Sequence, residues 1–187
     1  MSGRLRQPYS VEFLDQIVLH HPVLTPLDLA AFIRDAGLAA ELIPMAVDTP
    51  TVPAAAAALG VAAGQIIKSL LFEVQGAAWL VIASGDGLVD RRALAAHFGV
   101  GKKQIKLADA ATVLRVLGYP VGGAPPFGHI SRVPVLLDRA VARWDVVYGG
   151  GGDDRTMLRL TPTELQAVTG ATWIDLAADP ALAPAAP

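Results

Sequence analysis

Apolar residues recur along the chain at two spacings, and these spacings predict its helices and strands. Apolar positions three and four residues apart follow Ser10 and predict a helix over residues 10–21. A second helix is predicted between Thr25 and Gly37, because a capping threonine followed by proline opens it and a glycine ends it. Similar signals predict four later helices, over residues 51–60, 90–99, 109–118 and 161–169.

Short apolar runs bounded by turn residues predict the strands. The runs 65–74 and 77–83 are joined by Gln75 and Gly76, which favours a hairpin. Further strands are predicted over residues 42–47, 133–137, 144–148, 156–160 and 171–176. Because helices and strands are interspersed without strict alternation, we expect an α/β domain of the mixed α+β kind and not a Rossmann repeat.

Composition narrows the class of protein. Hydrophobic residues make up 53% and charged residues 17% of the 187 positions, which is typical of a globular chain. No apolar run approaches the ~20 residues of a membrane span, and no signal peptide is recognised, so we expect a cytoplasmic protein. The chain has no cysteine, and no His/Asp/Glu spacing resembles a metal site. We therefore expect no disulfide, no metal and no cofactor.

Positive charge is concentrated in one short segment, although the net charge is −2. This basic patch contains five of the 15 Lys and Arg residues and no acid: Arg91, Arg92, Lys102, Lys103 and Lys106. Such a patch could contact RNA phosphates or could be an ordinary solvated surface. The overall acidity argues against DNA binding.

The Gly/Pro loop, residues 121–129, combines three glycines, two prolines and a histidine. Glycine allows close backbone approach to a ligand and proline stiffens the chain, so the pattern indicates a shaped loop or, alternatively, a tight turn. The candidate substrate-binding residues are Gly122, Gly123, Ala124, Pro125, Pro126, Phe127, Gly128 and His129.

Lys68 is the candidate catalytic residue, because it interrupts an otherwise apolar strand. Its ammonium group could reach solvent along the strand edge, or it could enter a cavity and act as a base or hold a carbonyl or phosphate oxygen. No serine lies in a G-x-S-x-G context, which argues against a serine hydrolase. The run Gly149–Gly152 lacks the lysine of a P-loop and is interpreted as a flexible hairpin turn.

Taken together, the ordered motifs between about residues 51 and 176 resemble the YbaK/ProX family. This family comprises aminoacyl-tRNA deacylases related to the editing domain of bacterial prolyl-tRNA synthetases. The motifs are Thr51-Val52 with its alanine helix, Gln65 to Leu70 around Lys68, Ser84-Gly85-Asp86, Gly122 to His129, Leu137-Asp138 and Leu160 to Leu165.

The resemblance implies a fold, a reaction and site residues. The fold would be a curved, barrel-like mixed sheet surrounded by helices. The family's key lysine corresponds to Lys68 and its G-x-x-x-P substrate loop to Gly122–Pro126. Further substrate contacts would come from Ser84, Gly85 and Asp86, and possible tRNA contacts from Arg91, Arg92, Lys102 and Lys103.

The implied activity is hydrolysis, in trans, of the ester of a mischarged tRNA carrying a small amino acid. The implied partners are the acceptor end of an aminoacyl-tRNA and a tRNA synthetase. Two alternatives remain at this point: a non-catalytic binding or interaction module of the same fold, and a hydrolase of small esters. We predict an N-terminal helical extension packed on the core (1–45), an editing domain (46–178) and a flexible tail (179–187).

Overall fold

The structure is a computed structural model that describes residues 23–85 and 88–176. The predicted helix over 10–21, the C-terminal tail and the turn residues Asp86 and Gly87 lie outside the described residues. The remaining predicted elements can be compared with the structure one by one.

Five α-helices are present in the described part of the chain, and each begins at the N-cap that the sequence predicts. They are α1 (Pro26–Asp35), α2 (Val52–Leu59), α3 (Arg91–Phe98), α4 (Ala110–Leu117) and α5 (Pro162–Thr169). Each of the last four is followed at once by a glycine in the left-handed region, which ends the helix without steric cost. None of the described helices has the length and apolar character needed to cross a membrane.

In residues 23–85 and 88–176, eight strands form two sheets. They are β1 (Glu41–Pro44), β2 (Ile67–Val74), β3 (Ala77–Ser84), β4 (Ile105–Leu107), β5 (Val135–Asp138), β6 (Val147–Gly150), β7 (Thr156–Leu160) and β8 (Thr172–Ile174). The larger sheet has the order β4-β2-β3-β5-β8 and the smaller sheet the order β1-β7-β6. The predicted hairpin is confirmed, since β2 and β3 pair antiparallel from Ile67–Ser84 to Val74–Ala77. The mixed α/β class is therefore confirmed.

The single curved, barrel-like sheet is not confirmed. Within the described ranges, the two sheets are joined through one isolated bridge, between Ile66 and Tyr148, and no closed barrel forms. Within the larger sheet, β4 pairs with only the last three residues of β2, from Phe72 to Val74. The middle of β2 is left open on that edge.

Three apolar clusters among the described residues hold the layers together. The largest lies between the two sheets and includes Leu29 of α1, Val116 of α4 and Leu165 of α5. A second cluster packs α3 against the opposite face of the larger sheet, and a third packs α2 against β7 through Ala55 and Met157. Helix α2 and the larger sheet thus enclose a space next to β2.

Two strand predictions need correction. Residues 144–146 are not part of a strand, because a 3₁₀-helix over Arg139–Arg143 precedes them and Trp144 closes it. Gly149 and Gly150 are not turn residues, since they form the end of β6 and pair with Leu158 and Met157 of β7. The glycine run 149–152 is therefore half strand and half turn.

The strand β1 connects the predicted N-terminal extension to the rest of the fold. It pairs antiparallel with β7 in the register Glu41–Arg159 to Pro44–Thr156. Leu29 and Ile33 of α1 lie in the largest apolar cluster. The proposed boundary at residue 45 stays a prediction, but the described part of the extension shares a sheet and a core with the residues that follow it.

Helix α1 also packs against the Gly/Pro loop. The rings of Phe32 and Phe127 are stacked, with their centroids 5.6 Å apart. Within the loop, His129 Nε2 lies 2.8 Å from the carbonyl oxygen of Pro125. Burial lowers the pKa of His129 to about 4, and the bond to Pro125 only partly opposes this. The ring is therefore neutral at pH 7, with Nε2–H donating to Pro125.

The sequence of Thr161 and Glu164 fits a reciprocal capping box, but the start of α5 departs from that arrangement. Thr161 Oγ1 accepts the N–H of Glu164 at 3.2 Å, as a capping threonine does. The Glu164 carboxylate does not bond back within the box but accepts the N–H of Ala39 at 2.5 Å. One carboxylate thereby connects α5 to the segment between α1 and β1.

We predict that Glu164→Ala destabilises the fold through loss of this long-range bond. A hydrogen bond to a charged group contributes ~1.5–3 kcal/mol, so the free energy of unfolding in urea should fall by about that amount. Glu164→Gln keeps an acceptor oxygen and should recover part of the loss. Equal stability of the alanine variant and the wild type would contradict the assignment.

A second prediction concerns how the stability of the fold depends on pH through His129. The unfolded histidine has a pKa of ~6.5, while the pKa of folded His129 is lowered to about 4, so the unfolded chain binds more protons between these values. The contribution of neutral His129 to the free energy of unfolding is therefore fully present above pH ~6.5 and is lost as the pH falls toward 4. We expect the free energy of unfolding to fall by ~1–3 kcal/mol over this pH range, a figure that is reduced because the ring is partly exposed.

His129→Gln is the matched variant, because its amide can donate to Pro125 but does not titrate. Urea unfolding of both proteins between pH 7.5 and 4.5 separates this contribution from that of the carboxylates common to both. The wild type should lose more stability than the variant over this range, and parallel profiles would argue against a neutral, buried His129.

Candidate functional site

A cavity of about 280 Å³ lies where α2, β2 and the Gly/Pro loop meet. Three of the predicted site residues line it: Lys68, Gly122 and Ala124. Lys68 belongs to β2, opposite Ala83 of β3, more than fifty positions before the loop. The fold thus brings the candidate catalytic lysine and part of the candidate substrate loop to one place.

The open edge of β2 forms one wall of the cavity. The N–H of Ala108 donates to the carbonyl of Leu71 at 2.9 Å, so the backbone groups of Leu71 are directed toward β4. Along a strand these directions alternate, so Ser69 also presents its N–H and C=O on this edge. Since β4 pairs only with residues 72–74, the edge at Ser69 faces the cavity.

A second wall is apolar and comes from residues outside the predicted set. Val52 and Ala55 of α2 line it together with Ile66 and Met157. The hydroxyl of Thr49 donates to the Asp154 carbonyl at 3.1 Å and so joins this wall to the turn after β6. The alanine-rich composition of α2 was the available sequence signal, because small side chains leave space beside a helix.

A third wall is made of main chain. Gly150 lines the cavity beside Gly122 and Ala124. A Cβ atom on Gly150 would lie 2.6 Å from the carbonyl oxygen of Gly123, closer than real Cβ contacts. The N–H of Gly152 donates to that same oxygen at 2.8 Å. The glycine run, interpreted from sequence as a hairpin turn, is thus the support of the Gly/Pro loop.

The other predicted substrate residues do not line the cavity. Gly123 is buried behind Gly122 against the glycine run, and Phe127 is buried against α1. The remaining members of the loop that lie outside the lining are Pro125, Pro126, Gly128 and His129. The structure gives this half of the loop a packing role, and its contact with a substrate stays a prediction.

The predicted Ser84-Gly85-Asp86 segment lies at the end of β3. Ser84 Oγ donates to the Gly64 carbonyl at 2.5 Å, and the N–H of Gly85 donates to the Ile66 carbonyl at 2.9 Å. Both residues therefore anchor the segment that leads into β2, and neither lines the cavity. Asp86 lies outside the described residues, so its predicted contact is untested.

The basic patch lies on α3, on a short 3₁₀-helix (Lys102–Gln104) and on β4. All five of its Lys and Arg residues are exposed. Lys106 is followed directly by Leu107, which lines the cavity. Two acids absent from the linear segment approach the patch in space, since Glu73 pairs with Lys106 across the strands and Asp90 caps α3. The patch is therefore adjacent to the cavity and partly balanced in charge.

These walls define what the cavity can bind. Across residues 23–85 and 88–176, no group of three or more His, Cys, Asp or Glu side chains could hold a metal ion. The lining instead offers a lysine, backbone donors and acceptors, and apolar surface. Such a set suits a small molecule with a polar carbonyl group and a short apolar side chain.

Comparison with known proteins identifies relatives of most of the chain. Residues 46–168 match the family described as "Aminoacyl-tRNA editing domain". The "Uncharacterized protein YwhH" of Bacillus subtilis is 32% identical over 131 residues, which cover 69% of this chain and 82% of that protein. A proline–tRNA ligase of Desulfovibrio desulfuricans is 36% identical over 123 residues, covering 65% of this chain and 20% of that enzyme.

Solved structures agree with the sequence relatives. A crystal structure described as that of "a putative trans-editing enzyme for prolyl tRNA synthetase" superposes with a TM-score of 0.76 at 30% identity. The superposition covers 82% of this chain and 96% of that one. The resemblance to the YbaK/ProX proteins is confirmed by these matches: the chain belongs to the aminoacyl-tRNA editing domain family.

Proposed function

We propose that this protein is a trans-editing deacylase that hydrolyses the ester of a mischarged tRNA carrying a small amino acid. The observation that carries the proposal is the shared cavity of Lys68, Gly122 and Ala124 in a chain of the editing family. The reaction adds water to the ester carbonyl carbon and breaks the bond from that carbon to the ribose oxygen. The ribose oxygen takes up a proton, giving free amino acid and tRNA.

The size of the cavity supports a small aminoacyl group. Its volume of about 280 Å³ is at the lower end of ligand pockets, which span ~300–1,000 Å³. One wall is main chain and a second wall carries Val52, Ala55 and Met157. An apolar pocket discriminates a methylene group by only ~1–3 kcal/mol, so exclusion of larger side chains depends on the positions of these walls.

The polar groups of the cavity match the polar groups of an aminoacyl ester. The carbonyl of Ser69 is directed to accept from the α-amino group, and its N–H can donate to the ester carbonyl. Main-chain donors aimed at a developing oxyanion are worth ~3 kcal/mol each. Lys68 would hold either the ester carbonyl oxygen or the terminal phosphate, because an ammonium group binds both.

The proposed RNA contact is the acceptor end of the tRNA. The exposed basic patch adjoins the cavity at Leu107, so a terminal nucleotide in the cavity would bring the preceding phosphates toward β4 and α3. A tRNA synthetase is the proposed protein partner, because a related segment forms part of a proline–tRNA ligase. Such a role places the protein in the cytoplasm, where tRNAs are charged.

The decisive experiment is incubation of the protein with a panel of mischarged tRNAs. Release of one small amino acid at a rate well above spontaneous hydrolysis supports the deacylase. Binding of tRNA without hydrolysis would instead identify a non-catalytic module. Cleavage of free amino-acid esters with no response to tRNA would identify a hydrolase of small esters.

We predict that Lys68→Met lowers the single-turnover deacylation rate by ~10²–10³-fold, the effect of removing one stabilising donor. Arg132→Met is the control, since Arg132 carries the same charge but is exposed and lies outside both the cavity lining and the basic patch. The control should retain the wild-type rate at saturating protein. A wild-type rate for the Lys68 variant would remove this residue from the mechanism.

The same pair of variants separates the two roles of Lys68 when the substrate is shortened. An aminoacylated adenosine has the ester but no phosphate. If Lys68 holds the carbonyl oxygen, the defect of Lys68→Met persists on this substrate; if it holds the terminal phosphate, the defect disappears.

We also predict that Lys102→Gln combined with Lys103→Gln weakens tRNA binding with a smaller dependence on salt. Each phosphate contact contributes ~0.7–0.9 to the slope of log K against log salt concentration, so the slope should fall by ~1–2. Arg132→Gln combined with Arg143→Gln changes the net charge equally at exposed positions outside the patch. Identical slopes for the two double variants would exclude a specific contact at the patch.

A further inference from the structure

We infer that the glycine run 149–152 and helix α1 form a clamp that fixes the cavity-facing part of the Gly/Pro loop. The clamp consists of the glycine run together with Pro26 and Phe32. Through it, Gly152, Pro26 and Phe32, which do not line the cavity, determine how well the enzyme discriminates between aminoacyl groups. The inference rests on the proposed deacylase function for its kinetic consequence but not for its structural part.

The first contact of the clamp is between two stretches of main chain. A Cβ atom on Gly150 would lie 2.6 Å from the Gly123 carbonyl oxygen and 2.7 Å from that of Ala124. From the other side, a Cβ atom on Gly123 would lie 2.7 Å from the backbone of Asp153. The loop and the glycine run therefore approach as closely as main chains can, which leaves the loop little freedom to shift.

The second contact joins the glycine run to α1. Gly152 has a φ of +111°, and a Cβ atom there would lie 2.8 Å from Pro26 N. The N–H of Gly152 donates to the Gly123 carbonyl at 2.8 Å. Gly152 is thus held against the first residue of α1 on one side and bonded to the loop on the other.

The third contact holds the far end of the loop. Phe127 stacks on Phe32 with centroids 5.6 Å apart, and a Cβ atom on Gly128 would lie 3.1 Å from Leu29 Cδ1. Leu29 is fully buried, so α1 has a fixed position on the core. Three residues of the loop line the cavity: Val121 and Gly122 directly precede the contacts at Gly123, and Ala124 lies between those contacts and the third.

Small movements of this wall have large kinetic effects. Displacing a reacting group by ~1 Å can cost ~10²-fold in rate, while one methylene group in an apolar pocket is worth only ~10–200-fold in selectivity. A wall displaced by ~1 Å would therefore misplace the cognate ester and make room for a longer aminoacyl group before the fold itself failed.

Gly152→Ala is the test of the clamp, and Gly76→Ala is its matched control. Both glycines have positive φ, at +111° and +83°, but nothing lies within 4 Å of a Cβ atom at Gly76. We expect Gly152→Ala to lower kcat/KM for the cognate substrate at least 10-fold, mainly in kcat. Its preference for that substrate over one with a longer amino acid should also fall at least fivefold. Gly76→Ala should keep both values within about twofold.

A Gly152 variant that is folded and retains the wild-type selectivity ratio would overturn the clamp. If Gly152→Ala does not fold, Phe32→Ala provides the test at a partly exposed position, with Leu27→Ala, exposed on the same helix, as control. The Phe32 variant should lose selectivity at a temperature well below its Tm, and Phe32→Tyr should restore it. Unchanged selectivity in Phe32→Ala would again overturn the clamp.

Hydrogen exchange distinguishes a failure of the clamp from a failure of the proposed function. The amides of residues 122–124 should exchange at least 10-fold faster in Gly152→Ala or Phe32→Ala than in their controls, whether or not the wild type hydrolyses any tRNA ester. If the amides exchange faster in the variants but the wild type hydrolyses no tRNA ester, the clamp is supported and the proposed deacylase function is rejected. Unchanged exchange rejects the clamp.

Discussion

The structure depends on the close approach of two stretches of main chain, Gly150–Gly152 and Gly123–Ala124. No residue with a Cβ atom fits at Gly150, where the neighbouring carbonyl oxygens leave 2.6–2.7 Å. This contact sets the distance between the smaller sheet, which contains Gly150, and the loop that closes the cavity. The open edge of β2 and helix α2 complete the enclosure, so the cavity is a consequence of how the two sheets are spaced.

Local chemistry allowed much of this to be predicted from the sequence. Each described helix begins at a capping residue, and most end at a glycine, because these signals act within one turn of the chain. Lys68 could be recognised from the sequence because an ammonium group in an apolar strand requires a polar environment. In the structure, Lys68 of β2 lines the cavity. The order of the motifs identified the family, which the matching residues 46–168 confirm.

The parts that could not be predicted are those decided by distant contacts. The glycine run has the composition of a flexible turn, and only its pairing with β7 and its packing against Gly123 show that it is a wall. Phe127 and His129 belong to the same loop, yet Phe127 packs on Phe32 of α1, His129 bonds to Pro125, and neither lines the cavity. The exposed edge at Ser69 results from the short register of β4, for which the sequence has no local signal.

The unequal walls of the cavity have a consequence for divergence within the family. A wall of main chain cannot be altered by exchanging side chains, since any added atom at Gly150 meets a carbonyl oxygen. A second wall consists of side chains such as Val52 and Met157, whose exchange changes the volume without moving the backbone. New substrates are therefore accessible by mutation of such side chains, while Gly150 and the carbonyl oxygens that it meets serve as a fixed reference surface.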